Sequence, residues 1–236
     1  MARALKFDKF AGLAHDISVG ADGSLWVIGT NRVGNSGDCG AYGWDGRNWA
    51  DLGGGGVRIA GGPDGSVWVV NTAGQIYVRQ GGRWNGPLPG GAIDIAVGTQ
   101  GDVWIVGNNQ VGNGGDFGAY RWNGQNWENL GGAGVRIACS ADGSAWLLNS
   151  AGEVYVCQST GWTGPLPGLG IDIAAGGDGS LWMLGTNRVG KGNDGGIYRW
   201  NGNDWEQIGG GGVNISVGAD GTPWVTNSVG EIYHGH

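Results

Sequence analysis

Short apolar runs alternate with polar, glycine-rich turns along the whole chain. Residues 17–20 read ISVG, 21–24 read ADGS and 25–29 read LWVIG. Runs of this length, bounded by Asp-Gly, read as strands joined by tight hairpins that need a positive φ. The order of elements then repeats. A short strand is followed by a turn and by a strand with tryptophan at one fixed place: Trp26, Trp68, Trp104, Trp146, Trp182 and Trp224. A third strand carries Tyr42, Tyr77, Tyr120, Tyr155, Tyr198 or Tyr233, and a fourth begins near Trp49, Trp84, Trp127, Trp162 or Trp205. The pattern predicts an all-β chain of antiparallel strands.

The first strands of these units begin at Asp16, Arg58, Asp94, Arg136, Asp172 and Asn214, in steps of 42 and 36 residues by turns. Two steps make a double unit of 78 residues, and three double units account for nearly all of the 236 residues. Four strands in about 40 residues is the size of a propeller blade. The expectation is a single domain over 1–236, a six-bladed β-propeller of four-stranded blades with pseudo-threefold symmetry. The last unit runs from Asn214 to His236, 23 residues where a short unit has 36, and residues 3–15 supply the missing thirteen. LKFDKFAGLA (5–14) resembles RWNGPLPGGA (83–92) with a one-residue gap, which puts Phe7 near the place of Trp84. The N-terminal segment is therefore expected to form the outer strand of the last blade, closing the ring and removing its free edges.

The six extra residues of the long units fall in one loop: TNRVGNSGD at 30–38, NNQVGNGGD at 108–116 and TNRVGKGND at 186–194. Long loops in compact domains tend to carry function, and their glycines let a ligand approach the backbone. Asn31, Arg32, Asn35 and Asp38 are the candidate ligand contacts of the first loop. Asn109, Gln110, Asn113 and Asp116 are those of the second, and Asn187, Arg188, Asn193 and Asp194 those of the third. A wide turn closed by its own Asn and Asp is the competing explanation. Trp44, Trp122 and Trp200 occur only in long units, on the strand face of the third-strand tyrosine, and are added as stacking candidates. The six fixed tryptophans read as core between blades. The alternating Asp and Arg at the strand starts read as a ring of ion pairs between blades, worth little each if exposed, or else as cations that would meet an acidic sugar or phosphate.

The unit DISVGADGSLWVIG…YGWDGRNWADLGG resembles the tectonin repeat. The likeness lies in the D-I-x-x-G start, the D-G-x-x-W turn and strand, the I-Y third strand and the W-x-x-L-G-G or W-x-G-P-L-P-G close. The ending NSVGEIYHGH is similar to the terminal repeat of tachylectin-type proteins with six such repeats. Slime-mould tectonins, fish egg lectins and fungal tectonin lectins are relatives of this kind. The resemblance implies a six-bladed propeller that binds glycans, often methylated sugars or bacterial lipopolysaccharide, in innate recognition or defence. Arg58, Arg136 and Asn214 depart from the usual Asp, and the long loop is confined to alternate units, so three equivalent sites are expected where six equal ones would otherwise be. The alternative is a protein-interaction scaffold that binds no glycan.

Composition narrows the rest. Gly contributes 56 residues, but 14 Trp and 40% hydrophobic residues argue for a packed chain with many tight turns. With a net charge of −7 and no basic stripe, no nucleic-acid partner is expected. No apolar run approaches the length of a membrane span, so no insertion is expected. MARALKFDKF lacks a classical leader, which suggests a cytoplasmic protein or one secreted by a non-classical route. Cys39, Cys139 and Cys157 read as free thiols, with a Cys139–Cys157 disulfide as the alternative. No cofactor is expected. Calcium is the one metal the loops bring to mind, but each loop has a single carboxylate where Ca²⁺ usually takes several. His15, His234 and His236 meet only if the ring closes. No GxSxG, HExxH or P-loop is present, and the chain is expected not to be an enzyme.

Overall fold

The computed structural model describes residues 5–159 and 161–236, and every element assigned in them is a β-strand. The first quarter holds β1 (Phe7–Val19), β2 (Leu25–Arg32), β3 (Cys39–Trp44), β4 (Trp49–Gly56), β5 (Arg58–Gly61) and β6 (Val67–Val70). Then come β7 (Ile76–Gln80), β8 (Arg83–Asn85), β9 (Ala92–Val97), β10 (Val103–Val111), β11 (Asp116–Trp122) and β12 (Trp127–Gly134). The second half holds β13 (Arg136–Cys139), β14 (Ala145–Leu148), β15 (Glu153–Gln158), β16 (Gly161–Ala175), β17 (Leu181–Arg188) and β18 (Gly195–Trp200). The last strands are β19 (Trp205–Gly212), β20 (Asn214–Val217), β21 (Pro223–Thr226) and β22 (Glu231–Gly235).

Pairing is antiparallel throughout. Strands β5–β8 and β9–β12 each form a four-stranded meander, and the others form two seven-stranded sheets. Each seven-stranded sheet is two meanders sharing one long strand. The first part of β16 pairs with β15 and its second part with β17, with register shifts on the way. In the same way β1 pairs first with β22 and then with β2. Phe7 lies opposite Gly235, and Trp84 lies opposite Arg79, so Phe7 occupies in the last unit the place Trp84 has in the second. The N-terminal segment thus joins the C-terminal strands as the repeat arithmetic predicts. Lys6 and His236 exchange both backbone hydrogen bonds at 3.0 and 2.9 Å.

The hairpins follow from their residues. Asp22 Oδ1 accepts from the Ser24 N–H at 3.0 Å, and Gly23 takes φ 82° at the corner. Asp64, Asp142, Asp178 and Asp220 accept from the residue two places on in the same way. Strands β6 and β21 are buried on both faces, because each meander packs between two others. The fixed tryptophans fill those seams. Trp68 packs with Ile95 of the next unit, and Trp104 with Ile137. Trp104 and Trp182 are each 2% exposed.

The inner strands β1, β5, β9, β13, β16 and β20 together line a narrow central channel of ≈ 90 Å³. The carboxylates of the ring at their starts are buried, and the arginines half-buried: Asp16, Asp94 and Asp172 are 3%, 6% and 4% exposed. Each aspartate accepts the backbone N–H of the next inner strand, at Ile59, Ile137 or Ile215. Arg58 reaches Asp94 at 3.1 Å and Asp16 at 3.8 Å, and Arg136 reaches Asp172 at 3.6 Å. Both arginines are spent on carboxylates of the ring, so the reading in which they meet an acidic ligand has no support here. At the sixth place Asn214 accepts from the Ile17 N–H and donates to Asp172, but carries no charge. Burial pushes Asp16 up to about 6 against the pull of Arg58, and Asp172 up to about 7 against Arg136. The three cysteines are free and buried.

Candidate functional site

The long loops do not stand apart from the sheets. Asp38 Oδ1 accepts the backbone N–H of Thr72 at 2.7 Å, across the seam in the following short unit. Asp116 accepts the N–H of Ser150, and Asp194 that of Ser228 at 2.6 Å. The hydroxyls of Thr72 and Ser150 return bonds to the carbonyls of Ser36 and Gly114. Burial raises the Asp38 carboxyl, but the Thr72 N–H and the Ser36 hydroxyl hold it below its ordinary value. Each loop is therefore a pin between two units, and the first and third also close on themselves, with the Val33 and Val189 N–H groups donating to the carbonyls of Asp38 and Asp194.

What the pins hold open is a cleft. Three clefts recur at the seams after the long units, each floored by glycines of the outer strand and walled by the next short unit. The first, of ≈ 300 Å³, is lined by Gly53–Gly55, Val69, Asn71, Tyr77 and Trp84. The second, of ≈ 310 Å³, has Asp116, Gly132, Leu147, Asn149, Tyr155 and Trp162. The third, of ≈ 200 Å³, has Asp194, Gly210, Val225, Asn227, Tyr233 and Phe7. Glycine is required on the first two floors. A Cβ at Gly54 would lie 2.8 Å from the Trp84 indole, and one at Gly132 2.5 Å from that of Trp162. The same rings donate their N–H to the carbonyls of Leu52 and Leu130, at 2.9 and 3.1 Å, which fixes their planes.

A polar triad stands on each wall. In the second cleft Asn149 and Tyr155 both donate to Glu153, at 2.7 and 3.1 Å. In the third Asn227 and Tyr233 donate to Glu231, at 3.0 and 2.9 Å. In the first Gln75 takes the place of the glutamate and accepts from Asn71 at 2.9 Å. Glu231 is also bound by Lys9 at 2.6 Å, and the bonds from Lys9, Tyr233 and Asn227 hold its carboxyl down at about 2. An aromatic plate, an amide, a phenol and a carboxyl group on one wall can stack on the C–H face of a ring and bond its polar edge.

The sequence-derived candidates divide. Asp116 and Asp194 line clefts, and Asp38 holds the matching place in the first. Asn31, Arg32, Asn35, Asn109, Gln110, Asn113, Asn187, Arg188 and Asn193 are exposed along the loops, and Arg188 donates to Asn193 at 2.6 Å. Trp44, Trp122 and Trp200 are half-buried at other seams. Each packs against the outer-strand tryptophan of its own unit, with Trp44–Trp49 centroids 5.2 Å apart, Trp122–Trp127 4.8 Å and Trp200–Trp205 5.1 Å. Trp49, Trp127 and Trp205 in turn donate to the carbonyls of Ala11, Pro89 and Pro167 in the preceding unit. These tryptophans staple one unit to the next. The cleft residues Asn71, Tyr77 and Trp84 with their counterparts were missed. Their signal was present in NTAGQIY (71–77), NSAGEVY (149–155) and NSVGEIY (227–233), a motif that recurs only in the short units.

Among the described residues no group of three His, Cys, Asp or Glu is placed to hold a metal ion, and no helix is long and apolar enough to cross a membrane. His234 and His236 lie together, with centroids 6.4 Å apart.

The fold is that of propeller-like proteins. A streptogramin B lyase matches over 100% of this chain and 99% of its own at 17% identity, with a TM-score of 0.64. A gluconolactonase from Xanthomonas campestris matches over 98% and 89% at 12% identity and 0.66, and YCF48 bound to D1 peptide over 98% and 96% at 15% and 0.61. At these identities the likeness is one of fold. In sequence, Tectonin-2 of Physarum polycephalum is 57% identical over 37 residues, 16% of this chain and 10% of that protein. The match thus spans a small part of that relative's length. The Tectonin domain model matches residues 31–183, well over half of the chain. The repeat grammar, the four-stranded meanders and this match agree, and the chain belongs to the tectonin family.

Proposed function

We propose that the protein is a lectin built as a single six-bladed propeller over residues 1–236, binding surface glycans at three equivalent clefts. One observation carries this reading: the clefts recur with every double unit, each with an aromatic plate, a tyrosine, an asparagine and a pinning aspartate. Sugar sites are weak singly, because desolvating polar groups offsets most of the hydrogen-bond gain. Three sites on one ring gain avidity when the target repeats its glycans at matching distances. Microbial surfaces do so, and methylated sugars and lipopolysaccharide are the ligands to try first. A methyl ether suits a site whose plate is apolar and whose wall is polar. We read the clefts as binding sites and the protein as no enzyme, although two of its structural neighbours are named as enzymes.

The test is a glycan array and an agglutination assay with the intact protein. Binding that falls sharply in a double variant, Trp84→Ala with Trp162→Ala, supports the reading. Absence of any glycan bound at millimolar sugar would sink it. That outcome would favour the second reading, a scaffold for protein partners, for which a propeller of this fold bound to a peptide is the precedent.

A further inference from the structure

The three clefts match in position but not in charge. In the third, Asn227 and Tyr233 both donate to one oxygen of Glu231, Oε2, and the Lys9 ammonium sits on the other, Oε1, at 2.6 Å. Lys9 lies directly opposite Tyr233 in the pairing of β1 with β22, so it stands on the sheet face that Tyr233 turns to the cleft. In the second cleft Asn149 and Tyr155 likewise donate to Oε2 of Glu153. Among the described residues nothing donates to its Oε1, and no cation pairs with it. The place of Lys9 is taken there by Gly164 and Pro165, which fall between the pairs Val156–Thr163 and Val154–Leu166. The strand passes too close to carry a longer residue at Gly164, where a Cβ would lie 2.7 Å from the Tyr155 ring. In the first cleft Gln75 accepts from Asn71 and Tyr77 through its single side-chain oxygen, at 2.9 and 3.4 Å. It therefore has an amide donor where Glu153 has an open acceptor.

The pinning aspartates sharpen the difference. Asp38 accepts from the Ser36 hydroxyl at 2.7 Å through its second oxygen, whereas Gly114 stands at that place in the second loop and gives Asp116 no such donor. The first cleft thus has one carboxylate, the third has two with one ammonium, and the second has two with no cation. Burial first, and then Glu153 and Asp116, raise the Tyr155 hydroxyl above its ordinary value, so both carboxylates converge on the phenol of this wall. A primary ammonium is a strong partner for a carboxylate oxygen that has no other donor. The chain itself shows the fit, since Lys9 fills on Glu231 the place that is open on Glu153. We propose that the second cleft selects a sugar with an unsubstituted amino group, its ammonium on Oε1 of Glu153 and its ring on Trp162. This rests on the reading of the clefts as sugar sites. Glu153 sets the specificity, and Lys9 is the internal counterpart of the ligand's ammonium. The first cleft has no preference for the amine, and the third has its glutamate satisfied from within.

The experiment uses the intact protein with ¹⁵N-labelled tryptophan, the indole signals of Trp84 and Trp162 being assigned from Trp84→Phe and Trp162→Phe. The probes are methyl glycosides of glucose, galactose and mannose, each in its hydroxyl, amino and acetamido forms, at a mildly acidic pH that keeps the amine protonated. For the sugar that binds, the Trp162 signal should saturate at about three- to tenfold lower concentration of the amine than of the other two forms, the range for a partly exposed charge-assisted bond. The Trp84 signal should show no such preference. Glu153→Gln, which copies Gln75, should abolish the preference and keep the binding of the neutral forms. Gln75→Glu should confer it on the Trp84 signal. Equal affinity for the three forms at Trp162 overturns the proposal and leaves the clefts as sugar sites. So does a preference that survives in folded Glu153→Gln, or one that does not arise at Trp84 in folded Gln75→Glu. If neither signal moves with any probe, the reading of the clefts falls and the proposal falls with it.

Discussion

The last short unit differs from the other two where the chain ends meet. The second and fourth units have Trp84 and Trp162 on their outer strands, Arg58 and Arg136 at the channel, and Gln75 and Glu153 beside the tyrosine, held by hydrogen bonds from Asn71 and from Asn149 with Tyr155. The last has Phe7, Asn214 and a Glu231 bound by Lys9. Two of the three changes come with a strand from the other end of the sequence. A ring closed by hydrogen bonds must hold its seam without a covalent link. The lysine–glutamate pair crosses that seam, and the third cleft, walled by Phe7, is the smallest of the three. Where units are joined in sequence the pattern is kept, and where they are joined only by contact it is relaxed.

The largest effect should come from breaking the seam. Deleting residues 1–10 removes the strand paired with β22 and takes Phe7 and Phe10 out of their clusters. At about 3 kcal/mol per lost aromatic ring and about 3 °C per kcal/mol, the melting temperature should fall by roughly 10–20 °C. Thermal unfolding followed by tryptophan fluorescence would measure it, and an unchanged midpoint would contradict the closure. Next comes the pinning of covalently joined units. Replacing Asp38, Asp116 and Asp194 together by Ala orphans three backbone N–H groups, at about 1–2 kcal/mol each. Chemical denaturation should show the loss, and glycan avidity should fall with it. Avidity that holds in a folded triple variant would clear the loops of any part in the clefts.

The third test completes the ring of charges with Asn214→Arg. Asp16 and Asp172 keep protons in the folded chain up to about 6 and about 7, against an ordinary value of 3.8 when unfolded. Between these values the folded state binds more protons, so stability should fall as pH rises through that window. A third arginine between Asp172 and Asp16 should draw both values down and flatten the slope. Urea midpoints at about pH 5 and about pH 8 would show it, and an equally steep loss in the variant would mean that charge balance does not set it. The smallest effect is expected from Phe7→Trp, which makes the seam cleft like the others. The indole can donate to Ile208, the counterpart of Leu52 and Leu130, at a stability change within about 1 kcal/mol. Sugar titration resolved by site should then show three affinities drawing together.

The spacing of the strand starts carried the repeat and even the register of the seam, because turn chemistry and buried periodicity are local and were copied with each unit. Phe7 took the place of Trp84 although only a few residues of the two segments match. The clefts were less legible. The loop marks out the long units, yet the aromatic wall belongs to the short ones, and a cleft between units is a property of neither sequence alone. Trp44 and its counterparts have the chemistry of a stacking platform, but they pack against Trp49 and its counterparts, which the register of the third and fourth strands sets directly opposite them. The charge ring was recognised as a ring, but its burial depends on how closely the inner strands converge.

Lys6 and His236 lie side by side, one residue before Phe7 and three after Tyr233 of the third cleft, at the end of the sheet that carries the hairpin at Asp220. The two ends of the described chain therefore meet on the side opposite the pinned turns. A protein tethered through His236 to a bead, a chip or a carrier would be held by that side, with the pinned turns facing away from the support.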